Sequence, residues 1–522
     1  MKAILSVANR EGLPLLAQEL RSHHVTIFST SDTQQFLWKE GIESQPVSTL
    51  TQFPEILDGC VKTLHPAIFG GILAHRGLPA HEKELKAQHI QSIDIVVVNR
   101  YPFVETVGEP TISLDMALEQ IDIGEAALIR AAARNFQNVV VLVRPQDYAP
   151  VLQEWREQGE ISLQTRRYLA AIAFQQSASY DTAVATYLRG ALSERFPEEL
   201  TLALERIDVL RYGENPHQHA ALYRWADRPT AVNLPTLADS EILHGKDLSY
   251  NNVLDLDAAL NVVQSFTAPT VVIVKQTNPC GLACDDVLVE AYTKAHAADP
   301  VSAAGGVIGS NRQIDQATAQ EISQLTYEAV IAPDFSAEAL QILRKHKTIR
   351  LLATHCPIEP RLINTQRLLM GHIEVRTVCG GLLLQTPDFV GDGDAEYRVV
   401  SDREPTLEEI TDLMFAWKVV RGVTSNAIVL AHKLMVVGVG AGQMNRMTSV
   451  HLAVEKASER ARGAVLASDA FFPFADGIEA AAKAGITAII QPGGSQRDED
   501  AIRMANRYVM AMIFTGKRHF RH

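Results

Sequence analysis

Short runs of aliphatic and β-branched residues recur along the first part of the chain, and each is followed by a turn and then by residues at helical spacing. Four such runs are Ala3–Val7, Val25–Ser29, Ile93–Val98 and Val139–Val143. Strands that alternate with helices usually pair in parallel, because the crossover helices then cover the faces of the sheet. The alternation therefore predicts a parallel α/β fold for this part.

The same alternation resumes after about residue 194. Strands are predicted at Thr270–Val274, Gly380–Leu384, Ala427–Leu430, Ala464–Leu466 and Ile486–Ile490. The intervening stretch is rich in Gln, Glu, Arg and Ala at helical spacing and contains no strong strand pattern. A chain of 522 residues can hold two to four domains. We predict an α/β domain over 1–145, a helical connector over 146–193 and a second α/β region over 194–522.

Composition excludes several classes of protein. The chain is 47% hydrophobic and 21% charged, which is typical of a globular protein with ample core. Its net charge of −13 disfavours nucleic acid and anionic membranes as partners. The first apolar residues fit a short strand better than a signal peptide, and no apolar run is long enough to predict a membrane span. We therefore predict a cytoplasmic protein.

The cysteines favour neither a disulfide framework nor a metal site. They are odd in number and scattered, at Cys60, Cys280, Cys284, Cys356 and Cys379. Cys280 and Cys284 are one residue further apart than the Pro-Cys-x-x-Cys spacing of zinc deaminases. We expect reduced thiols and no required metal.

Polar residues that directly follow predicted strands are candidates for function, because ligands bind beyond the carboxyl ends of parallel strands. They occur at Asn99–Tyr101, Lys275–Gln276, Ser468–Asp469 and Gly493–Ser495. The glycine-rich segment Gly438–Gly442 does not complete a dinucleotide-binding pattern. We predict that it forms a tight turn between adjacent strands.

The segment Arg211–Gln218 reads RYGENPHQ and combines basic, amide and phenol groups with Gly and Pro. It resembles the signature RYGxNPHQ of the bifunctional purine biosynthesis enzymes that join aminoimidazolecarboxamide ribonucleotide (AICAR) formyltransferase to inosine monophosphate (IMP) cyclohydrolase. Further matches to that family span nearly the whole chain and include VKTLHP at 61–66, IDIG at 121–124, KQTNPCG at 275–281 and RHFRH at 518–522.

This resemblance implies a methylglyoxal-synthase-like N-terminal domain followed by two cytidine-deaminase-like α/β subdomains without the deaminase zinc. It implies formyl transfer from the co-substrate 10-formyltetrahydrofolate to AICAR, and then cyclisation of formyl-AICAR to IMP. These small molecules would be the partners of the protein. The family's sites are shared between chains, so the resemblance also implies a homodimer.

For formyl transfer, the resemblance assigns catalytic positions to Lys275, Gln276, Asn426 and His522. Family members usually carry His where this chain has Gln276, and an amide cannot titrate near neutral pH. His522 is a candidate for the missing proton acceptor. The substrate-binding positions implied for this half are Arg211, Tyr212, Gly305, Arg446 and Asp476.

For cyclisation, the resemblance assigns catalytic roles to Lys62, Tyr101 and Asp122. Substrate-binding positions implied for this half are Ser29, Thr33 and Arg134. The loops here depart from the family pattern at Ser31, Asp32, Cys60, Glu125 and Arg134. Added carboxylates oppose phosphate binding, so the cyclohydrolase half is expected to have relaxed or retargeted it.

Three functions remain open from the sequence. The first is a bifunctional enzyme of purine biosynthesis. The second is a divergent paralogue that acts on a related aminocarboxamide nucleotide or nucleoside, or that has an inactive cyclohydrolase half. The third is a non-catalytic relative that binds ligands or partners.

Overall fold

A computed structural model of the protein describes residues 1–57, 61–100, 103–108, 112–192, 196–226, 235–358, 360, 373–388 and 396–522. The chain divides into two compact units. The first unit comprises Met1–Glu205 with Trp225–Val232, and the second comprises Arg206–Arg224 with Asn233–His522.

The first unit contains a five-stranded sheet whose strands all pair in parallel. Its strands are β1 (Lys2–Val7), β2 (Thr26–Ser29), β3 (Gln45–Pro46), β4 (Ile95–Asn99) and β5 (Val140–Leu142). They lie in the order β3-β2-β1-β4-β5. The predicted parallel α/β fold is confirmed here, because runs such as β4 are buried on both faces and need helices on each side.

The helices of the first unit cover this sheet. They are α1 (Leu13–Ser22), α2 (Ser31–Lys39), α3 (Ser48–Thr51), α4 (Pro66–Leu73), α5 (Pro79–Ala87), α6 (Phe103–Val107), α7 (Leu114–Glu119), α8 (Gly124–Arg134), α9 (Tyr148–Gln158) and α10 (Leu163–Leu192). Trp155 of α9 and Leu169 of α10 are buried in the same hydrophobic core as the strands. These two helices therefore help to close the core of the first unit.

The strand order of the first sheet reverses beside β1, which pairs with β2 on one side and with β4 on the other. Such a reversal leaves a crevice at the carboxyl ends of the two strands, and ligands of open α/β sheets bind there. Ser6 and Asn99 lie at the ends of β1 and β4. They mark the crevice of the first unit.

The remaining strands form one large sheet and two small ones. They are β6 (Leu204–Leu210), β7 (Ala220–Trp225), β8 (Glu241–His244), β9 (Thr270–Lys275), β10 (Asn278–Cys284), β11 (Val307–Ser310), β12 (Ala329–Ala332), β13 (Arg350–Ala353), β14 (Glu374–Val378), β15 (Gly381–Gln385), β16 (Arg398–Val399), β17 (Ile428–His432), β18 (Met435–Gly440), β19 (Val465–Ser468), β20 (Ala488–Gln491) and β21 (Ala511–Phe514). Strands β6 and β7 form one two-stranded sheet, and β14 and β15 form the other.

The helices of the second unit flank its large sheet. They are α11 (Tyr250–Val263), α12 (Leu288–Ala298), α13 (Pro300–Ala303), α14 (Gln316–Ile322), α15 (Ala337–Leu343), α16 (Leu407–Val420), α17 (Arg446–Ala457), α18 (Asp476–Lys483) and α19 (Asp498–Arg507). The twelve strands have the order β16-β21-β20-β19-β17-β18-β10-β9-β11-β12-β13-β8.

The large sheet contains the same succession of elements twice. A helix, an antiparallel hairpin and three parallel strands follow one another in α11, β9–β10 and β11–β13, and again in α16, β17–β18 and β19–β21. The two hairpins meet through the antiparallel pair β10–β18. This repetition agrees with two α/β subdomains in the second unit.

Gly438 and Gly440 do not form the predicted turn between strands. They lie within β18, and the turn that joins β17 to β18 is formed by Lys433 and Leu434. A Cβ on Gly438 would lie 2.1 Å from the carbonyl oxygen of Ala453, which belongs to α17. The prediction was wrong because these glycines serve the close approach of helix and strand rather than a turn.

Candidate active sites

The crevice of the first unit begins with a loop that Asn99 holds in place. The Asn99 Oδ1 atom accepts hydrogen bonds from the backbone N–H groups of Ala8 (2.7 Å) and Asn9 (2.8 Å). Its Nδ2 atom donates to the carbonyl of Asn9 (2.9 Å). One amide at the end of β4 thus fixes the turn that follows β1.

Lys62, Asp122 and Glu125 meet beside this crevice. The Lys62 Nζ atom lies 3.5 Å from Glu125 Oε1, which also accepts a hydrogen bond from Ser6 Oγ (2.9 Å). The Asp122 carboxylate accepts from the backbone N–H groups of Glu125 (3.1 Å) and Ala126 (2.9 Å) at the start of α8. The structure therefore brings the predicted pair Lys62 and Asp122 together, with Glu125 between them.

The two neighbouring carboxyl groups differ in proton affinity. Burial, followed by the contact with Glu125, raises the pKa of Asp122 to about 7. Burial alone would also raise the pKa of Glu125, but its bonds with Asp122 and Ser6 and the charge of Lys62 hold that pKa below its ordinary value. Asp122 can therefore give and take a proton near neutral pH, whereas Glu125 stays ionised.

Ser29 and Thr33, predicted to bind phosphate, already have internal partners. The Ser29 hydroxyl is fully buried and shares a hydrogen bond with Ser44 Oγ (2.7 Å). The Thr33 Oγ1 atom accepts from the backbone N–H of Val7 (3.0 Å). Both hydroxyl groups brace the ends of β1 and β2 in this structure.

Arg134 lies apart from this cluster within one chain. It is exposed in the last turn of α8, whereas Asp122 precedes the first turn. A helix of 11 residues separates its two ends by roughly 16 Å. The role of Arg134 in substrate binding stays a prediction. Tyr101 and Cys60 lie outside the described residues.

In the second unit, Lys275 ends β9 at a tight hairpin. Gln276 and Thr277 form the turn to β10, and both have positive φ values, 52° and 62°. The Lys275 ammonium is exposed and donates to the carbonyl of Ala304 (2.7 Å). Because that partner is a neutral carbonyl, the positive charge can still act on a ligand at this edge.

Asn426 is held rigidly in the loop just before strand β17, which begins at Ile428. A cis peptide bond joins it to Ser425. Its Nδ2 atom donates to the carbonyl of Gln443 (2.8 Å), and its Oδ1 atom accepts from Arg446 Nη2 (2.7 Å). The amide therefore has a fixed orientation.

Arg446 is buried and points inward, rather than standing free for a phosphate as expected. It forms an ion pair with the fully buried Asp469 and donates to Ser468 Oγ (2.7 Å). A buried carboxylate needs such a partner, and Asp469 follows β19 directly beneath α17. In this structure Arg446 positions Asn426.

Hydrogen bonds join the turn after Lys275 (the Lys275 turn, Gln276–Thr277) to the loop before β17 (the Asn426 loop, Thr424–Asn426). The backbone N–H of Thr424 donates to Asn278 Oδ1 (2.8 Å), and Arg521 Nη1 donates to the carbonyl of Thr277 (3.2 Å). The backbone N–H of Arg521 also donates to Ser425 Oγ (3.1 Å). The turn between β9 and β10, the loop before β17 and Arg521 thus meet at one edge of the large sheet.

Two residues near the end of the sequence belong to this assembly, and sequence reasoning selected neither. Burial lowers the pKa of the Arg521 guanidinium. His519 is buried, shares a hydrogen bond with Asp388 (2.6 Å) and lies 4.9 Å from the Trp417 ring centre. His522 is exposed, and its ring centre lies 5.6 Å from that of Phe520, with the two ring planes tilted by 60°. The RHFRH motif was the only signal for Arg521 and His519.

The other predicted binding residues lie on loops of the second unit. Arg211 is exposed, and its guanidinium carbon lies 5.7 Å from the Tyr212 ring centre. Gly305 has a φ of +72° and directly follows Ala304, the acceptor for Lys275. Asp476 is exposed at the first residue of α18.

The two cysteines of β10 are held as thiols. Burial raises the pKa of Cys280 and that of Cys284 to about 11, so both thiols stay protonated. Across the described ranges, no group of three or more His, Cys, Asp or Glu side chains could hold a metal ion. Among the same residues, no helix combines the length and apolarity that crossing a membrane requires.

Comparisons with known proteins match both units. The model of the MGS-like domain matches residues 12–127, and that of the AICARFT/IMPCHase bienzyme matches residues 132–456. The chain belongs to the AICARFT/IMPCHase bienzyme family. It is 48% identical over 521 residues to the bifunctional purine biosynthesis protein PurH of Anoxybacillus flavithermus, covering 100% of this chain and 99% of that one. The PurH protein of Bacillus subtilis is 46% identical over 522 residues, with the same coverage.

A solved structure, the crystal structure of ForH, is also similar. It is 32% identical to this chain and covers 35% of it and 97% of its own length, with a TM-score of 0.32. The AICARFT/IMPCHase family assignment rests on the full-length relatives and on the matches to both family models.

Proposed function

We propose that the protein transfers a formyl group from 10-formyltetrahydrofolate to AICAR and cyclises formyl-AICAR to IMP. The observation that carries this proposal is the edge where the Lys275 turn, the Asn426 loop and Arg521 are joined by hydrogen bonds. An exposed ammonium and a fixed amide at one edge suit the transfer of an acyl group between two bound ligands.

Each residue at this edge has a distinct task. The 5-amine of AICAR is a weak nucleophile, because its lone pair is delocalised into the ring. We assign to Lys275 the stabilisation of the negative charge that develops on the formyl oxygen, because its ammonium is exposed at this edge. Asn426, held by Arg446, orients the ligand. Gln276 can donate or accept hydrogen bonds but cannot carry a proton, so the proton acceptor is another group.

A folate fits a second polar loop of the same unit. Phe474 is 52% exposed, and the Arg497 guanidinium carbon lies 4.7 Å from its ring centre. An exposed aromatic ring can stack on a pterin, and the carboxylate of Asp476, two residues later, can accept its N–H groups. The co-substrate would supply the formyl group. The family resemblance favours no metal requirement.

For cyclisation, Asp122 and Lys62 are the proposed pair. The carboxamide nitrogen of formyl-AICAR must lose a proton as it attacks the formyl carbon, and Asp122 has a pKa suited to accept it. The Lys62 ammonium stabilises the oxygen that leaves as water. Tyr101 keeps its proposed role by family resemblance. We place both activities in the cytoplasm, because the odd and scattered cysteines do not favour a disulfide framework.

Purified full-length protein is expected to convert AICAR and 10-formyltetrahydrofolate into tetrahydrofolate, with formyl-AICAR or IMP as the second product. Absorbance would follow folate turnover, and chromatography would separate the nucleotides. Formyl-AICAR without IMP would indicate formyl transfer with an inactive first unit, which is the second candidate function. Binding of AICAR without any folate turnover would overturn the proposal and favour a non-catalytic relative.

We also propose that the protein is a homodimer. Strands β14 and β15 form an isolated hairpin with apolar residues on both faces. Val375, Val378, Leu382 and Leu383 are between 41% and 59% exposed. A two-stranded hairpin is marginally stable by itself, so burial against a second copy would stabilise it.

The double variant Leu382→Glu/Leu383→Glu is expected to be monomeric at micromolar concentration, because two carboxylates would have to be buried in the interface. Light scattering would give the mass of one chain, against twice that mass for the unmodified protein. Leu407→Glu, at a position 81% exposed at the start of α16, is the matched control and should stay dimeric. A dimeric double variant would exclude the hairpin from the interface, and a monomeric unmodified protein would end the homodimer proposal.

A further inference from the structure

Arg100 directly follows β4, one of the two strands whose ends mark the crevice of the first unit. We propose that Arg100 is a positioning residue for cyclisation, which acts on Asp122 in two ways. It holds the Tyr180 phenol against the loop that carries Asp122, and it places a positive charge near that carboxyl group. The inference rests on the proposed cyclisation and deepens it by naming the group that prepares the proton acceptor.

The phenol of Tyr180, on α10, bridges two backbone groups of the loop before α8. Its oxygen accepts a hydrogen bond from the backbone N–H of Asp122 (2.8 Å), and its O–H donates to the carbonyl of Gln120 (3.3 Å). One hydroxyl group thus acts as donor and acceptor on the same loop. Because one of these bonds is to the backbone of Asp122 itself, the bridge fixes the point from which the Asp122 carboxyl group extends.

The guanidinium of Arg100 in turn packs on the Tyr180 ring. Its central carbon lies 4.0 Å from the ring centre, which is the range of a cation–π contact. Its Nη2 atom also donates to the carbonyl of Gln176 on α10 (2.8 Å). Phe103 meets the same ring edge-on, with 6.0 Å between the ring centres. A planar group that is bonded to the helix and stacked on the ring restricts the movement of the phenol.

Arg100 also acts on Asp122 through its charge. Burial lowers the pKa of the Arg100 guanidinium, and the carboxyl group of Asp122 is the strongest of the neighbouring charges that oppose this change. An arginine keeps its charge even so. The interaction is mutual, so the charge of Arg100 favours the ionised form of Asp122. It therefore limits the rise that burial and Glu125 cause in the pKa of that carboxyl group.

The other charged groups around the proposed proton acceptor are paired with one another. Glu125 and Lys62 form one ion pair, and Arg130 of α8 and Asp181 of α10 form another. The two charges of each pair largely cancel at a distance. Arg100 donates to a neutral carbonyl, and its Nη1 atom is buried without a hydrogen-bond partner among the described residues. These contacts leave its positive charge uncompensated.

The charge effect is tested with Arg100→Met, which keeps an unbranched stem, and Arg100→Lys, which keeps the charge. Rates of formyl-AICAR cyclisation by the full-length protein would be measured between pH 5 and 9. In Arg100→Met the inflection expected near pH 7 should move upward by roughly half a unit or more, because ionised Asp122 loses a favourable neighbour. In Arg100→Lys the inflection should stay close to its original place.

Arg166→Met is the matched control for the loss of one guanidinium. Arg166 also lies on α10 and donates to a backbone carbonyl, that of Gln137. It precedes Tyr180 by fourteen residues, which is roughly 21 Å along the helix. Its replacement makes the same change in net charge and should leave the inflection where it is.

The positioning effect is tested with Tyr180→Phe, which removes one hydroxyl group and keeps the ring. The kcat of cyclisation is expected to fall by about tenfold, because the loop that carries Asp122 loses its bridge. The KM for formyl-AICAR and the inflection should change little, since neither the ligand contacts nor the charge of Arg100 is altered. Tyr168→Phe, at a position 55% exposed on the same helix, should keep the rate within about twofold.

A further readout does not depend on catalysis. Asp122→Asn would be introduced into the unmodified protein and into Arg100→Met, and the resulting change in melting temperature would be followed with pH. The stability that protonated Asp122 contributes is lost as the pH rises through its pKa in the folded protein. In Arg100→Met this loss is expected at a higher pH than in the unmodified protein.

An inflection and a stability window that both stay in place in Arg100→Met would overturn the charge effect, and the melting transitions show whether the variants are folded. An unchanged kcat in Tyr180→Phe would overturn the positioning effect. If no protein cyclises formyl-AICAR while the stability window still moves, the proposed cyclisation fails and the action of Arg100 on Asp122 stands.

Discussion

Lys275→Met is expected to lower the kcat of formyl transfer by about 10²–10³-fold, which is typical for the loss of one group that stabilises an oxyanion. The substitution keeps a long apolar stem at the end of β9 and removes only the ammonium, which donates to the carbonyl of Ala304. The dissociation constant for AICAR should change little, because Lys275 acts on charge that develops during the reaction. Initial rates of tetrahydrofolate formation at saturating AICAR would measure the effect.

Lys294→Met provides a matched control in the same unit. Lys294 belongs to α12 and pairs with Asp285. Asp285 directly follows β10, at the end of that strand opposite to the Lys275 turn. Its loss removes one ammonium without touching the proposed site, so the rate should stay within about twofold of the unmodified enzyme. An unchanged rate in Lys275→Met would show that formyl transfer does not depend on the Lys275 ammonium at this edge of the sheet.

Asp122→Asn is expected to slow cyclisation by about 10²–10⁴-fold, the usual contribution of a positioned proton acceptor. In the unmodified protein the rate should rise as the pH increases through about 7, because burial and the neighbouring Glu125 raise the pKa of Asp122 to that value. The Asn side chain does not titrate, so the variant should lack this inflection. Rates with formyl-AICAR between pH 5 and 9 would measure it.

Stability supplies an independent check on the same carboxyl group. The folded state raises the pKa of Asp122 above its ordinary value of 3.8, so the folded protein binds a proton that the unfolded chain releases. This contribution to the free energy of unfolding is fully present below pH 3.8, the ordinary pKa, and is lost as the pH rises through about 7, the pKa in the folded protein. The difference in melting temperature between the unmodified protein and Asp122→Asn should change across this window. Asp115→Asn, at an exposed position of α7, should show no such change.

The sequence predicted the first sheet well and the second less completely. Continuous apolar runs identified β1, β2, β4 and β5, because strands buried on both faces carry that pattern. The two antiparallel hairpins of the large sheet, β9–β10 and β17–β18, were not predicted. Their turns use Gln276–Thr277 and Lys433–Leu434, which lack the Asn-Gly or Gly signals that usually mark a tight hairpin.

Residues next to strand ends were predictable, but their partners were not. Lys275 and Ser468–Asp469 were selected because they follow apolar runs. The inward orientation of Arg446 depends on Asp469, which lies 23 residues away in sequence and has no local signature. The predicted boundaries at 145 and 193 stay predictions, although α9 and the start of α10 pack into the core of the first unit.

The contact between Arg521 and Thr277 joins residues 244 positions apart in the chain. During translation, the Lys275 turn and the Asn426 loop leave the ribosome long before residue 521. Neither can be locked by Arg521 until that residue has been translated. A chain that ends before this residue would thus contain most of the large sheet but would lack the bonds by which Arg521 holds the Lys275 turn and the Asn426 loop together.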